Sequence, residues 1–425
     1  MQRALRYSEA ARRGSGRRLV FSAGSIRLCA NAPRKSARLI LLARLAVFLL
    51  VAIAMLAPAA ALRQSFDMEV LWNPTSVRAA DGTQLVYELR LANFATESLE
   101  LTRLSIVNVA SGSVLAQFKR EELSRLSGRA DRPIGGESSK RVIPAGAHVL
   151  VYLNVPYQET GTRPPELTHK LEYVTSSTQE VVTVEGGRFQ ATDQTLALLG
   201  PPLRGGPWVA VYDSSWERGH RRALYTVNGK VHVPGRFAID WIKVDKSGKY
   251  FDGDGSKVTD WRGYGAEVLA VADAVVVATR DDIAENKAVS QTPARTALED
   301  ASGNYVALDL DGRHYAFYEH LQPGSLKVKP GDRVRAGQVI GMLGYTGEST
   351  GPHLHFHIGN NNSPLDAEGL PYAFAAFRML GSYLPKEAFA QAQPWTPLPT
   401  NSEANRRAEF PESFSLVEFL PRAAQ

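Results

Sequence analysis

Short apolar runs alternate with turn residues over most of this chain. Apolar and polar positions alternate within residues 84–94, 148–157 and 169–176. Such a period of two is typical of half-buried β-strands, and several short strands at this spacing predict an all-β sandwich. We assign this N-terminal sandwich to residues 62–199. The polar, glycine-rich stretch 121–140 within it predicts a long loop.

The same strand patterning continues beyond a proline- and glycine-rich boundary. The sequence GPPLRGGP at residues 200–207 is typical of a hinge between domains. Alternating runs at 304–310 and 314–321 follow it, so a second β domain is predicted from about 200 to 380. Residues 381–425 contain six prolines and predict an extended tail.

The first 61 residues have the pattern of a targeting segment rather than of a folded domain. A basic stretch, residues 1–44, precedes an uncharged apolar run at 45–62 that ends in small residues. This order is typical of a secretory signal peptide, and an uncleaved membrane anchor is the alternative. Both interpretations place residues 62–425 outside the cytoplasm, in the periplasm or cell envelope.

Charge and cysteine content narrow the possible functions. The chain has 49 basic and 43 acidic side chains, but residues 1–44 hold eleven of the basic ones and one acid. The remaining residues are therefore mildly acidic, which argues against nucleic acid as a partner. The single cysteine, Cys29, excludes a disulfide framework and a multi-cysteine metal site. Histidines and carboxylates remain as the candidate metal ligands.

The densest candidate chemistry lies in the run STGPHLHFHIG, residues 349–359. In a strand, His353, His355 and His357 share one face. His320 ends the strand pattern YEHL, and Asp240 lies in the apolar run AIDW. A carboxylate in an apolar strand is costly unless it is paired, hydrogen-bonded or bound to a metal. These residues are therefore the candidates for a metal site.

Three segments, in order, resemble the lysostaphin/LytM-type zinc metallopeptidases, which cleave peptide cross-links in bacterial peptidoglycan. The segments are FAID, YEHL and KPGDRVRAGQVIGMLGYTGESTGPHLHFHI. The resemblance covers about residues 205–375. It implies a two-sheet antiparallel β domain of the duplicated hybrid motif type, with a groove over one sheet. It also implies Zn²⁺ as cofactor and peptidoglycan peptides as partners.

The resemblance also implies roles for individual residues. Asp240 and His355 are similar to zinc ligands of the family, and His320 and His353 are similar to its two non-ligand histidines. The implied reaction is hydrolysis of an amide by a metal-activated water, with a histidine transferring the proton.

The chain departs from the family at Arg236, which occupies the position of the first zinc-binding histidine. A guanidinium stays charged and cannot ligate zinc. His220 or His232 could supply the missing ligand, or the site could lack one and be degenerate. His314 is too far away, about 20 Å along the strand that carries His320.

Further candidates are less constrained by the sequence. Tyr318 and Tyr345 lie near the histidines and are either core residues or substrate contacts. His357, where relatives commonly carry Glu, either adjusts the surroundings of the ligands or is exposed. The expected function is a zinc-dependent endopeptidase acting on peptidoglycan. The alternatives are a degenerate module that binds the cell wall or activates another hydrolase, and a peptidase for secreted proteins or bacteriocin-like peptides.

Overall fold

β-Strands form almost all of the regular structure, as the sequence predicts. The computed structural model describes residues 65–79, 82–128, 140–158, 164–192, 196–217, 219–289 and 296–420. The predicted leader and its apolar run lie outside these ranges. Within them, no helix is both long enough and apolar enough to cross a membrane.

The described residues up to 192 form a β-sandwich. Its strands are β1 (Phe66–Val70), β2 (Ser76–Ala79), β3 (Gly82–Asn93), β4 (Leu99–Asn108), β5 (Val114–Lys119), β6 (Ser127–Gly128), β7 (Val142–Ile143), β8 (His148–Pro156), β9 (Glu166–Thr175) and β10 (Val181–Gln190). One sheet has the order β1-β3-β8-β6, with β2 on β3. The other has the order β10-β9-β4-β5, with β7 on β4.

The alternation seen in the sequence sets the core of this sandwich. Leu85, Leu89 and Val151 of the first sheet meet Leu104 and Leu171 of the second in one fully buried cluster. Burying each such side chain contributes about 1.5–3 kcal/mol. The predicted sandwich is therefore present, with strand bounds close to those expected.

The predicted loop 121–140 begins with a helix instead. Helix α1 spans Arg120–Leu126, and the Glu122 carboxylate accepts the backbone N–H of Lys119 at 2.9 Å. Leu123 of this helix is fully buried against the sandwich core. The loop prediction was wrong for this turn because capping and one buried leucine stabilise a helix too short to show periodicity.

The described residues from 196 onward are built on one large mixed sheet. Its elements are β11 (Ala197–Leu199), β12 (Gly205–Val211), β13 (Tyr225–Val227), β14 (Lys230–His232), β15 (Ile239–Lys243), β16 (Glu267–Leu269), β17 (Ala274–Arg280), β18 (Asn304–Asp309), β19 (Tyr315–Leu321), β20 (Arg333–Val334), β21 (Val339–Met342), β22 (Leu354–Gly359), β23 (Tyr372–Ser382), α2 (Glu387–Ala390), β24 (Thr396–Pro397), β25 (Asn405–Glu409) and β26 (Ser415–Phe419). Three short 3₁₀ turns of this half, at His220–Arg222, Pro234–Phe237 and Leu298–Asp300, border the site described below or lie near it.

The large sheet has the order β11-β23-β26-β12-β15-β22-β19-β18-β17-β20, with β24 and β25 on β23. Pairs β13-β14 and β16-β21 form two small separate sheets. Val268 and Ile340 of the second pair are buried in the same core as Trp241 and Phe356 of the large sheet. The all-β prediction is confirmed, and the sheet is mixed because β11 pairs with β23 in parallel.

The residues beyond 381, predicted as an extended tail, contribute strands to this sheet. β26 lies between β23 and β12, with Val417 opposite Trp208 on one side and Met379 on the other. Its Leu416 and Val417 are fully buried. The domain boundaries at 200 and 381 stay predictions, but the last strand belongs to the centre of the sheet.

One histidine of the sandwich is a structural residue. His169 is fully buried, with its Nδ1 3.0 Å from the Gly187 carbonyl oxygen and its Nε2 3.0 Å from the Tyr87 hydroxyl. A carbonyl only accepts, so Nδ1 carries the proton and Nε2 accepts from Tyr87. Burial lowers the pKa of His169 to about 4, against weaker opposition from its backbone hydrogen bonds.

This histidine makes the stability of the fold depend on pH. Because its pKa is lower when folded than the ordinary 6.5, the neutral ring stabilises the fold fully above pH 6.5 and progressively less down to about pH 4. We expect His169→Gln to remove this dependence. Between pH 7 and 5, the difference in unfolding free energy between wild type and variant should change by roughly 2 kcal/mol. Urea unfolding at both pH values measures it, and an unchanged difference would contradict it.

Candidate active site

Three neighbouring strands place a row of polar side chains on one face of the large sheet. In the antiparallel ladders, Asp240 of β15 lies opposite His355 of β22, and His355 lies opposite Glu319 of β19. Residues directly opposite in adjacent strands project to the same face. Ile239, with its side chain on the other face, is fully buried in the core. The carboxylate of Asp240 therefore meets the histidines because of the strand register.

His220 reaches this row from outside the sheet. It begins the 3₁₀ turn His220–Arg222, and its Nε2 lies 3.0 Å from Oδ2 of Asp240. The His220 and His355 rings are 4.7 Å apart and nearly perpendicular. Gly235 permits this approach, because a Cβ there would lie 2.7 Å from the His220 carbonyl oxygen. Of the three possibilities left open by the sequence, the geometry brings His220 to Asp240 and His355.

The three side chains fit a metal ion. Donor atoms of His220, Asp240 and His355 all lie within 4.8 Å of one another. Nδ1 of His355 is 2.9 Å from Oδ1 of Asp240. Ligands of a tetrahedral zinc with bonds of 2.0–2.1 Å stand about 3.3 Å apart, so small shifts would suffice. Burial opposes ionisation of Asp240, but His220 and His353 outweigh it and hold the pKa of Asp240 well below its ordinary value.

Two further histidines lie beside this cluster, each with one nitrogen occupied. Nδ1 of His353 is 2.7 Å from the Gly351 carbonyl oxygen, and Nδ1 of His320 is 2.8 Å from the Thr346 carbonyl oxygen. Because a carbonyl only accepts, both Nδ1 atoms carry protons, and in the neutral rings Nε2 is the basic nitrogen. Nε2 of His353 lies 3.1 Å from Oδ1 of Asp240.

His320 faces the cluster because β19 is irregular at its end. Its φ of 62° breaks the alternation of the strand, and the pairing with β18 shifts register between Asn304 and Val306. Its ring consequently lies 4.9 Å from that of His353. Burial, reinforced by His353 and His355, holds the pKa of His320 well below its ordinary value. The ring is therefore neutral at pH 7, with Nε2 unprotonated.

Glu319 is a site residue that the sequence did not single out. It is buried, and burial, partly offset by His355, raises the pKa of its carboxyl. Nδ1 of His357 is 3.6 Å from Oε1 of Glu319, and the His357 ring stacks on Phe317. His357 is buried, so the exposed alternative for it was wrong. That Glu319 lies on the same face as Asp240 and His355 becomes evident only once the register of the three strands is known.

Arg236 and His232 lie in a different cluster from the candidate ligands. Arg236 Nη2 donates to Oε2 of Glu368 at 2.8 Å and its Nη1 to the Gly369 carbonyl oxygen at 2.9 Å. His232 Nδ1 is 3.2 Å from Oε1 of Glu368 and its Nε2 is 3.0 Å from Oδ1 of Asp366. The side chains of these two residues are thus held by acids away from Asp240.

Neither tyrosine predicted as a substrate contact offers its ring to a cleft. Tyr318 is fully buried, and its hydroxyl accepts the backbone N–H of Val271 at 2.9 Å. Tyr345 is 2 % exposed and its hydroxyl donates to the Ala288 carbonyl oxygen. Both residues take the core alternative: the position of Tyr318 in β19 points it away from the polar face, and Tyr345 is buried outside the strands.

A groove passes over the cluster. One cleft is lined by Tyr225, Glu348 and the histidines, and an adjoining cleft by the aromatic residues Tyr250 and Trp261. Both clefts share Asp240, His353, Thr350 and Trp216, so they are continuous. Trp216 is 41 % exposed at this junction. An extended peptide lying in the groove would pass directly over Asp240.

Residues 256–367 match the model of Peptidase family M23. This matched segment, the M23 region, is about a quarter of the chain. The glycyl-glycine endopeptidase ALE-1 of Staphylococcus capitis is 51 % identical over 61 residues, 14 % of this chain and 16 % of that protein. Lysostaphin of Staphylococcus simulans is 53 % identical over 55 residues, 13 % of this chain and 11 % of that protein. Peptidoglycan DD-endopeptidase ShyC of Vibrio cholerae is 35 % identical over 112 residues, 26 % of this chain and 23 % of that protein.

The matches confirm the resemblance to lysostaphin-like metallopeptidases and also mark its limits. The chain spans less than a quarter of the length of each of these three relatives. The M23 region includes Glu319, His320, His353 and His355, whereas Asp240 precedes it. The segments that carry Arg236 and His220 likewise precede the M23 region.

The geometry predicts which histidine completes a metal site. His220→Ala removes one of the three protein ligands that a catalytic zinc usually has, so zinc should fall from about one ion per chain to almost none. His232→Gln, matched as a histidine from the other cluster, should keep its zinc. Elemental mass spectrometry of the purified chains measures both. Loss of zinc from His232→Gln but not from His220→Ala would contradict the assignment of His220 as the third ligand.

Proposed function

We propose that this chain is a zinc-dependent endopeptidase that hydrolyses peptide bonds in bacterial peptidoglycan cross-links. The observation that carries the proposal is the convergence of His220, Asp240 and His355, which gives two imidazoles and a carboxylate despite Arg236. This donor set suits a zinc ion with an open coordination position. The M23 match and the names of the relatives support the reaction and the substrate class.

The chain's own residues suit the proton transfers of amide hydrolysis. A zinc ion bound by these ligands would supply an activated water and a Lewis acid for the scissile carbonyl. His320 and His353, each with Nδ1 occupied, direct Nε2 to the site. One Nε2 accepts the proton of the attacking water, and the resulting imidazolium protonates the leaving amine. We propose that the other ring, once protonated, stabilises the developing oxyanion.

The surroundings of the site favour a polypeptide substrate. The groove is open at both clefts and continuous across Asp240, as binding of an extended chain requires. Its walls combine aromatic rings, such as Tyr250 and Trp261, with polar groups such as Glu348. We place the protein in the cell envelope, where such a substrate occurs, in agreement with the predicted export signal.

Arg236, in place of a zinc-binding histidine, was the reason to consider a catalytically degenerate module. The contacts of Arg236 and His220 weaken that reason. Arg236 binds Glu368 and Gly369, while His220 lies 3.0 Å from Asp240, which supports His220 as the third ligand. A peptidase for secreted proteins remains a second candidate, which the choice of substrate in the assay can separate.

Hydrolysis of purified sacculi tests the proposal. The wild-type chain should convert cross-linked muropeptides to uncross-linked ones, and a chelator should stop this until zinc is restored. His355→Ala removes a ligand, and the lost transition-state stabilisation of several kcal/mol should lower the rate by about 1,000-fold or more. Chromatography with mass spectrometry measures the products.

The control for this experiment is His148→Ala, which replaces an exposed histidine at the start of β8. It should cleave as the wild type does. Undiminished cleavage by His355→Ala would refute the proposed mechanism. Cleavage of glycine-rich peptides without cleavage of sacculi would favour the peptidase for secreted peptides.

Trp216 replaces the tyrosines as the predicted substrate contact. Its exposed ring stands where the two clefts meet and packs edge-on against Phe414. Removing such an aromatic contact costs more than about 1 kcal/mol of binding, so Trp216→Ala should raise KM roughly tenfold with kcat little changed. Phe94→Ala, an exposed aromatic of the sandwich, is the control. Steady-state kinetics on a muropeptide dimer separates the two parameters, and an unchanged KM would speak against this contact.

A further inference from the structure

A buried carboxylate of the sandwich joins the two chain segments that carry the candidate ligands His220 and Asp240. Glu88 of β3 is fully buried. Its Oε1 accepts from Nε of Arg221 at 2.8 Å, and its Oε2 accepts from Nε of Arg236 at 2.8 Å. Burial disfavours the charged carboxylate, but Arg236 and Arg221 outweigh it and hold the pKa of Glu88 below its ordinary value. Each oxygen therefore binds one guanidinium in a charged, water-excluded contact.

Arg221 is bound on all sides by the sandwich. Besides Glu88, its Nη1 donates to Oδ1 of Asn154 at 2.6 Å, and its Nη2 donates to the carbonyl oxygens of Tyr87 and Leu153 at 2.8 and 2.9 Å. These partners belong to the adjacent strands β3 and β8. The planar guanidinium is thus held by four acceptors in fixed directions.

His220 directly precedes Arg221 in the chain. The two residues share a 3₁₀ turn of three residues, too short to be stable by its own hydrogen bonds. Arg222 adds a second attachment, since it lies 4.6 Å from the Tyr152 ring and donates to the Arg125 carbonyl oxygen at 2.8 Å. Both anchors of the turn are therefore supplied by the sandwich.

Arg236 binds the second carboxylate oxygen of Glu88 and lies in the turn against which His220 packs. It directly follows Gly235, against which the His220 backbone packs, and it precedes Asp240 by four residues. Its guanidinium bridges Glu88 and Glu368, both buried. Glu88 thus fixes the turn that carries His220 and the turn on which His220 rests.

We propose that Glu88 is a positioning residue for the metal site, so that the N-terminal sandwich completes the site by holding His220 against Asp240. The proposal rests on the proposed function for the identity of the ligands, and goes beyond it in giving the sandwich a part in metal binding. It also gives Arg236 a function, because a histidine at that position could not bridge Glu88 and Glu368.

The test compares metal binding by the full chain with that of Glu88→Gln, which keeps the shape of the side chain and removes its charge. Outer partners of metal ligands commonly change affinity by about 10–100-fold, so we expect zinc to bind more weakly by this factor. The matched control is Glu172→Gln, which removes the carboxylate of a partly exposed ion pair with Arg103 in the same sandwich. Competition with a chromophoric chelator measures the dissociation constants.

Cobalt(II) supplies a signature that general destabilisation would not produce. Its visible absorption reports the ligand number, so the spectrum of Glu88→Gln should lose intensity and resemble that of His220→Ala. The spectrum of Glu172→Gln should match the wild type. Circular dichroism and thermal unfolding are recorded on each variant to establish that it is folded.

Asn154→Ala decides the question if Glu88→Gln does not fold. It removes one acceptor of Arg221 at an exposed position and leaves no buried charge unpaired, so we expect a loss of zinc affinity of a few-fold. Wild-type affinity in the folded Glu88→Gln chain, or in Asn154→Ala when only that variant folds, would overturn the inference while leaving the proposed function standing. A wild-type chain that binds no zinc would overturn the proposed function itself.

Discussion

The antiparallel register of β15, β22 and β19 is the constraint on which the rest of the site depends. It places Asp240, His355 and Glu319 side by side on one face, while Trp241, Leu354 and similar neighbours fill the core on the other. A slip of one residue would exchange the two faces and bury the histidines among apolar side chains. The free energy of the apolar core therefore maintains the geometry of the polar cluster.

Much of this arrangement could be predicted because it follows a period of two. The HLHFHI run and the apolar setting of Asp240 indicate which side chains share a face, and the resemblance to a known family connects the segments. The third histidine could not be identified in this way. His220 lies on a single 3₁₀ turn, which has no periodicity, and its approach depends on Gly235 from another segment.

Elsewhere, the alternation of side chains between the two faces of a strand does not predict the contacts. It fails where a strand is irregular or where the partner residue is far away in sequence. His320 and Glu319 are adjacent in sequence, yet both line the cleft because the strand turns at His320. One partner of Arg236 is Glu88, 148 residues away and in the sandwich, so nothing local in the sequence reveals that contact. The position of β26 within the sheet is equally non-local, since the prolines before it favour an extended arm and only its pairing with β12 and β23 shows otherwise.

The location of β26 also has a consequence for how the protein acquires its structure. In the order of the large sheet, β12 and β26 lie between β23 and the strands that carry Asp240 and His355, and β26 ends at residue 419. During synthesis, the large sheet therefore lacks an interior strand until residue 419 has left the ribosome. The nascent sandwich can form early from contacts within residues 65–192, whereas the sheet that carries the site closes last, by a pairing between segments some two hundred residues apart.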